Sequence, residues 1–366
     1  MRVLHIFQKD DPDAGGGLRV AEALVREQRA AGLDARLLFL YGDKGEISAA
    51  LGEGISTLGI RSSRQVVRGV AGLVRAIRSI APDLLHSHDG IMWPRLAYGL
   101  TGVPVVTHGH LPPETTGGLK QKIGWPLVRS TTKKVIGISG HTAEQWKVAG
   151  FPDEHIEVIP NGVDFNRFSI LPRSQKKALR QTLGLPEEKQ IMVWVGRLQR
   201  SMKGTDRVER IADCIPDSAV LVVVGHGPEY EGMQARCADA IASGRLILAG
   251  SVARPEQYYM AADVFLFSSH HEPFGLVLLE AVASGLPIFY FPLTGGGGAA
   301  ELLERFGAVA LSEAVDADEL QRNLNRIEEF SDQTVGLREE AAAYSWQAIS
   351  ADVVRLYESL LEEAGR

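Results

Sequence analysis

Short runs of β-branched and aliphatic residues alternate along this chain with longer stretches whose apolar residues recur every three to four positions. The run Arg2–Phe7 predicts a strand. A glycine-rich loop follows through Gly17, and Leu18–Ala31 has helical spacing with a stop at Gly32. Residues 34–41 predict the next strand, and 54–60 a further one. Residues 63–81 predict a helix ended by Pro82. Short strands are expected at 83–88 and 104–109, each closing in histidine, and at 133–139 and 155–160. Strands with apolar residues on both faces, separated by helices, predict a parallel sheet covered on each side.

The alternation pauses between Asn161 and Gln175 and then restarts. Residues 190–196, 219–227, 245–250, 263–269 and 286–291 read as strands with helices between them. The fold class is therefore α/β, with two Rossmann-like domains. We place the first at residues 1–168 and the second at 169–340. Residues 341–366 form a closing helix with a stripe of Trp346, Ile349, Val353, Leu356 and Leu360. A helix with one apolar face must cover something.

A length of 366 residues independently favours two domains, since a single core stops growing below that size. A net charge of −6 speaks against nucleic acid as the main partner. Two cysteines, Cys214 and Cys237, make neither a disulfide framework nor a metal cluster, so a reducing compartment is expected. No apolar run is long enough to span a bilayer, and the start of the chain is too quickly acidic for a signal peptide. The expected location is cytoplasmic. Lys120, Lys122, Arg129, Lys133 and Lys134 lie within residues 120–134 with Trp125 and no acid among them. That segment predicts either peripheral contact with anionic lipid at the inner face of the cell membrane or a solvated charge run over an inward tryptophan.

The candidate chemistry centres on residues 270–285, which set Glu272 on a loop and Glu280 inside the helix that follows, with Pro273 near its start and Gly285 after its end. Open parallel sheets take ligands beyond the carboxyl ends of their strands. There the amides around Phe274, Gly275 and Leu276 are expected to hold a phosphate. Glu280 suits a vicinal diol such as a ribose, and Glu272 the hydroxyls of a second sugar. The plainer alternatives are a helix cap for Glu272 and a solvent-facing charge for Glu280. A pyrophosphate there needs cations, and Arg197 and Lys203 follow another strand end, with Gly196 and Gly204 keeping their loop tight. Gly225 ends a further strand, where a base can stack or the chain simply turn.

Together these motifs resemble the retaining, nucleotide-sugar-dependent glycosyltransferases of family 4, which have the two-domain GT-B architecture. The glutamate pair is Glu272 and Glu280, and the cation pair is Arg197 and Lys203. The first-domain glycine loop is Gly15, Gly16 and Gly17, with Gly15 and Gly16 favoured by register. The segment Pro160–Asp164, the glycine loop Thr294–Glu301, His108 and the aromatic closing helix complete the match. The loop between Arg197 and Lys203 is one residue longer than in many relatives.

The resemblance implies two domains facing a cleft, with the donor on the second, the acceptor on the first, and the closing helix returning to the first. It implies catalytic roles for His108, Glu272, Arg197 and Lys203, with His108 a sugar contact. Donor binding falls to Gly15, Gly16, Gly17, Gly196, Arg197, Lys203, Gly225, Glu272, Phe274, Gly275, Leu276 and Glu280. A UDP-sugar is the expected donor, and a glycan or lipid-linked acceptor of polysaccharide or lipopolysaccharide-type synthesis the expected partner. A small-molecule acceptor is the alternative, and a sugar-nucleotide epimerase or hydrolase of the same architecture the second. No metal and no other cofactor is expected, the cations standing in; His5, His86 and His88 lack a known metal spacing. A dinucleotide oxidoreductase fits poorly, because Gly15 comes well after Phe7, where the first strand is expected to end.

Overall fold

Among the described residues the aliphatic runs form thirteen strands in two separate sheets. The computed structural model describes all residues except 12–14, 62–64, 89–91, 112, 114–118, 364 and 366, and omits the side chains of 66, 119–123, 328 and 330–335. The predicted helix start at 63–64 and the residues Asp89 and Gly90 thus lie outside the described residues.

The first sheet contains β1 (Arg2–Lys9), β2 (Asp34–Tyr41), β3 (Ile55–Ile60), β4 (Leu84–Ser87), β5 (Val105–Gly109), β6 (Thr132–Gly137) and β7 (Ile156–Val158). Their order is β3-β2-β1-β4-β5-β6-β7. The second contains β8 (Gln190–Val195), β9 (Ala219–Val224), β10 (Leu246–Gly250), β11 (Val264–Phe267), β12 (Ile288–Tyr290) and β13 (Val309–Ala310). Its order is β10-β9-β8-β11-β12-β13. All the pairings in both sheets are parallel. In each, the chain runs outward from a central strand and then returns to its other side. That creates a topological switch point between β1 and β4, and another between β8 and β11.

Burial explains why these segments are strands. All six side chains of β9 are buried, so helices must cover both faces. Each buried Val or Leu contributes roughly 1.5–3 kcal/mol relative to exposure. The helix Gly16–Ala30 buries Leu18, Val20, Ala21, Leu24 and Val25. Polar contacts close the gaps: Asp10, just past β1, accepts from the amides of Gly45, Ile47 and Ser48 and so caps the helix Glu46–Leu51.

Contacts divide the chain into one unit of Met1–Gly162 with Trp346–Arg366 and a second of Val163–Ser345. Residues 163–168, assigned above to the first domain, pack in the second unit. The Val163 amide donates to the Tyr344 carbonyl at 2.8 Å. Arg338 donates to the carbonyls of Phe165 and Phe168, and the Phe168 ring meets Tyr259 edge-on. The closing helix spans Trp346–Glu363, after a 3-10 turn at Ala341–Tyr344. Extended backbone at Ser345 separates the two, which sets the start of the helix later than residue 341. Its predicted stripe is buried, joined by Tyr357, and the helix packs against Gly16–Ala30 of the first unit.

Candidate active site

In the second unit the loops after β8 and β11, neighbours across the switch point, are knitted together. The Trp194 indole donates to Ser268 Oγ at 2.8 Å, and that hydroxyl donates to the Lys203 carbonyl at 2.7 Å. The His270 amide donates to the Met202 carbonyl. Gly204 has φ 64°, and a Cβ there would stand 2.0 Å from the Ser268 oxygen, so only glycine allows this approach.

The result brings together two side chains 69 residues apart: Lys203 Nζ lies 2.5 Å from Glu272 Oε2. Glu272 is 9% exposed and also accepts from Ser269 Oγ. A buried carboxylate requires such a partner. Arg197 stands one residue past Gly196, exposed, and makes no hydrogen bond or ion pair with any described residue. The loop after β11 is itself held by the loop Thr294–Glu301, through the Gly295 amide to the His270 carbonyl and the Ala299 amide to the Glu272 carbonyl.

Glu280 lies further along, in the helix Leu276–Ala283, half-buried, and accepts from the Tyr259 hydroxyl at 2.7 Å. It is thus neither solvent-facing nor paired with Lys203. The helix begins at Leu276, not at Pro273: Gly275, with φ 95°, is its cap, and Phe274 is buried before it. The Leu278 amide donates to the Gly275 carbonyl at 2.9 Å, while the amides of Phe274, Gly275 and Leu276 have no hydrogen-bond partner among the described residues. No side chain caps this start, so it remains available to an outside acceptor.

Gly225, where a base was expected to stack, also has a packing role. At φ 133° its Cβ would fall 1.9 Å from the Gly196 carbonyl oxygen. Gly225→Ala is expected to destabilise the protein by about 3 kcal/mol through strain and overpacking. Urea unfolding checks this; an unchanged midpoint would contradict the close approach.

In the first unit, Gly15 has φ 79° and precedes the helix that opens with Gly16 and Gly17. A Cβ at Gly17 would lie 3.3 Å from the His110 ring. His110 stacks on His108 at 4.3 Å between ring centroids. These two belong to a group of five histidines, on or just past the carboxyl ends of β4 and β5 and inside β1. His110 Nε2 meets His88 Nδ1 at 3.0 Å, and His88 Nε2 meets His5 Nδ1 at 2.9 Å. His5 Nε2 meets Gln28 Oε1 at 2.8 Å, and Gln28 Nε2 donates to the Tyr357 hydroxyl at 3.3 Å. Tyr357 in turn meets His86 Nδ1, and His86 Nε2 meets His108 Nδ1 at 3.0 Å. His108 Nε2 is buried with no hydrogen-bond partner among the described residues. An orphaned buried nitrogen is costly, and it marks the place where a ligand group would complete the bonding.

Burial holds all five imidazoles neutral. It pushes His5 down to about 4 and His86, His88 and His108 well below the usual imidazole range. Two triplets, His5 with His86 and His88, and His88 with His108 and His110, bring ring nitrogens within 4.8 Å of one another. The rings are stacked, however: His86 and His88 are 3° from parallel, and His108 and His110 are 12° from parallel. The stacked pairs aim their in-plane lone pairs alongside each other, and the nitrogens that do face, His5 Nδ1 with His88 Nε2 and His88 Nδ1 with His110 Nε2, are already joined in hydrogen bonds. A tetrahedral ion needs them to converge.

The sequence also matches known proteins. Residues 14–167 match the family described as Glycosyltransferase Family 4, and residues 175–344 match Glycosyl transferases group 1. A D-inositol 3-phosphate glycosyltransferase of Corynebacterium urealyticum is 26% identical over 76% of this chain and 72% of its own. A 2-deoxystreptamine glucosyltransferase of Streptomyces kanamyceticus is 27% identical over 75% of each. The crystal structure of HepE from Anabaena, in complex with UDP and glucose, has the same fold, with a TM-score of 0.81, 21% identity and coverage of 98% of this chain and 100% of that one. The protein is a glycosyltransferase of the GT-B fold.

The glycosyltransferase holds several supporting residues that spacing did not reveal. Arg207, fully buried, donates to the carbonyls of Ser268, Ser269 and Pro292 and pairs with Glu313, fixing the loop that carries Glu272. Tyr259 orients Glu280. Gln28 and Tyr357 bind the histidines. A signal for the histidine group was present: His86 and His88, and likewise His108 and His110, are two apart, which puts each pair on one face at adjacent strand ends.

Segment 120–134 is more inward than its charges suggest. Trp125 donates to the Ala149 carbonyl at 2.9 Å and packs on Trp146 and Phe151. Lys134 is tied to the Glu154 carbonyl, while Arg129 and Lys133 are exposed. The side chains of Lys120 and Lys122 lie outside the described residues. Among the described residues no helix is long and apolar enough to cross a membrane.

Proposed function

We propose that this glycosyltransferase moves a sugar, with retention of anomeric configuration, from a UDP-sugar to a hydroxyl of a glycan or lipid-linked acceptor in polysaccharide or lipopolysaccharide-type synthesis. The observation that carries the reading is the Lys203–Glu272 pair at the switch point, with Arg197, exposed and without a partner among the described residues, in the same connection after β8. Departure of the diphosphate puts negative charge on its terminal phosphate. Arg197, Lys203 and the amides that open the helix Leu276–Ala283 offset that charge, so no metal is required. Lys203 exchanges part of its bond to Glu272 for the phosphate, which frees Glu272 oxygens for sugar hydroxyls. Glu280, steadied by Tyr259, takes the ribose diol. His108 contacts the transferred sugar through Nε2, and amides of Gly15, Gly16 and Gly17 flank the phosphates.

In this reading the first unit serves the acceptor, the second holds the donor, and the enzyme is cytoplasmic. Among the described side chains, Arg129 and Lys133 are the exposed cations of 120–134 that would meet anionic lipid. UDP and glucose bound to the similarly folded Anabaena protein support the choice of donor. A small polyol acceptor is the second reading, favoured by the inositol phosphate and 2-deoxystreptamine in the names of the two relatives.

Thermal unfolding with UDP-, GDP- and ADP-sugars and the bare diphosphates tests the donor site. A ligand at 100 times its Kd adds about 2.7 kcal/mol to stability. UDP-sugars are expected to raise the midpoint and the other bases not. Glu280→Ala removes this protection, whereas Glu272→Ala weakens the sugar nucleotide more than bare UDP. No protection by any of them in folded protein sinks the proposal. Release of free sugar or an epimer without an acceptor would point to the hydrolase or epimerase alternative.

A further inference from the structure

The histidines of the first unit form one unbranched chain with Gln28 and Tyr357, ending at His110 on one side and His108 on the other. A neutral imidazole has one N–H and one bare nitrogen. Every inner histidine here uses both ring nitrogens within the chain, so each must donate to one neighbour and accept from the other. Tyr357 has a single proton to give and, being fully buried, must give it to Gln28 or to His86. Gln28 offers an amide N–H on one side and a carbonyl oxygen on the other. These constraints leave two proton orders for the whole chain: all bonds point toward His108, or all point toward His110.

The two orders differ in energy and in what they present. With the Gln28 amide donating to Tyr357, the Tyr357 hydroxyl donates to His86 and His86 Nε2–H donates to His108 Nδ1. His108 is then left with its proton on Nε2, the nitrogen that has no partner. On the other side, His110, His88 and His5 each donate through Nε2 as well. All five rings thus carry the intrinsically preferred Nε2–H form. Reversing the Gln28 amide reverses every bond and puts all five protons on Nδ1.

We propose that Tyr357 and Gln28 are positioning residues that fix His108 as the Nε2–H tautomer, so that it meets the sugar as a hydrogen-bond donor and not as a base. The functional half rests on the reading of His108 as a sugar contact. The Gln28 amide conveys polarity along the chain without carrying a proton, so no proton transfer is involved. Tyr357 lies on the closing helix, 271 residues from His86.

Nitrogen-15 NMR of histidine-labelled full-length protein reads each ring's tautomer directly, without turnover. The expected result is five Nε2–H rings, with coupling across the three imidazole–imidazole bonds. A neighbour pair of opposite tautomers, or His108 protonated on Nδ1, overturns the relay. Tyr357→Phe leaves the His86 Nδ1 atom without its donor, so the His86–His108 segment is expected to populate both tautomers. With a donor sugar that protects the wild type, kcat is expected to fall about tenfold, the value of one hydrogen bond, while KM for the donor changes little. A folded Tyr357→Phe protein that keeps a single His108 tautomer also overturns the relay. Mixed tautomers with unchanged kcat overturn the sugar contact at His108, and with it the positioning role, while the relay itself stands.

Discussion

Arg197→Ala is expected to lower kcat/KM by about 10²- to 10³-fold while leaving stability within roughly 0.5 kcal/mol of the wild type. The two halves of this prediction share one cause. Arg197 is exposed and makes no ion pair with the described residues, so nothing in the fold depends on it. Its fork of donors is free to meet a diphosphate in two parallel bonds. Lys203 differs: Lys203→Ala strands the nearly buried Glu272, so that variant is expected to lose stability as well as activity. Initial rates with the protecting UDP-sugar, beside urea unfolding of both variants, check the pair. An Arg197→Ala enzyme within twofold of wild type would remove Arg197 from the donor site.

Lowering the pH from 7.5 to 5 is expected to destabilise the protein by several kcal/mol. The His5 imidazole titrates at about 4 in the folded chain, against 6.5 when unfolded. As pH falls through 6.5 the unfolded chain takes up the proton first. The stability is complete above that point and is lost progressively toward pH 4. For His5 alone the loss at pH 5 is about 2 kcal/mol. His86, His88 and His108, lowered in the same sense by the same burial, add to it. The half-buried His110 counts for less. A typical domain has only about 5–15 kcal/mol to lose. Carboxylates act in a lower window: Asp34, held near 2 by Arg36 and Arg2, loses its contribution only below about 4. Urea midpoints at pH 7.5, 6 and 5 separate the two. A flat profile over that range would mean that the histidines are not sealed from water.

Both predictions depend on groups that spacing located unequally. The placement of Arg197, Lys203 and Glu272 after strand ends, and of Glu280 within the helix that follows Gly275, was readable because those elements are set by local periodicity and by glycine. The details within a few residues were less legible. Gly275, rather than Glu272, caps the helix. Gly225 answers to the backbone of Gly196, which no local pattern reports.

The sequence by itself determined the alternating elements, the two parallel sheets and the residue types at their carboxyl ends, because helix and strand periods and turn residues act over a few positions. Tertiary structure alone decided which of those residues meet. The Lys203–Glu272 pair depends on β8 and β11 being neighbours. The chain from His110 to His108 needs three strands and two helices in register before its protons have a direction. Such bonds form only once folding has excluded water, and a sequence pattern carries no record of which distant partner will then replace it.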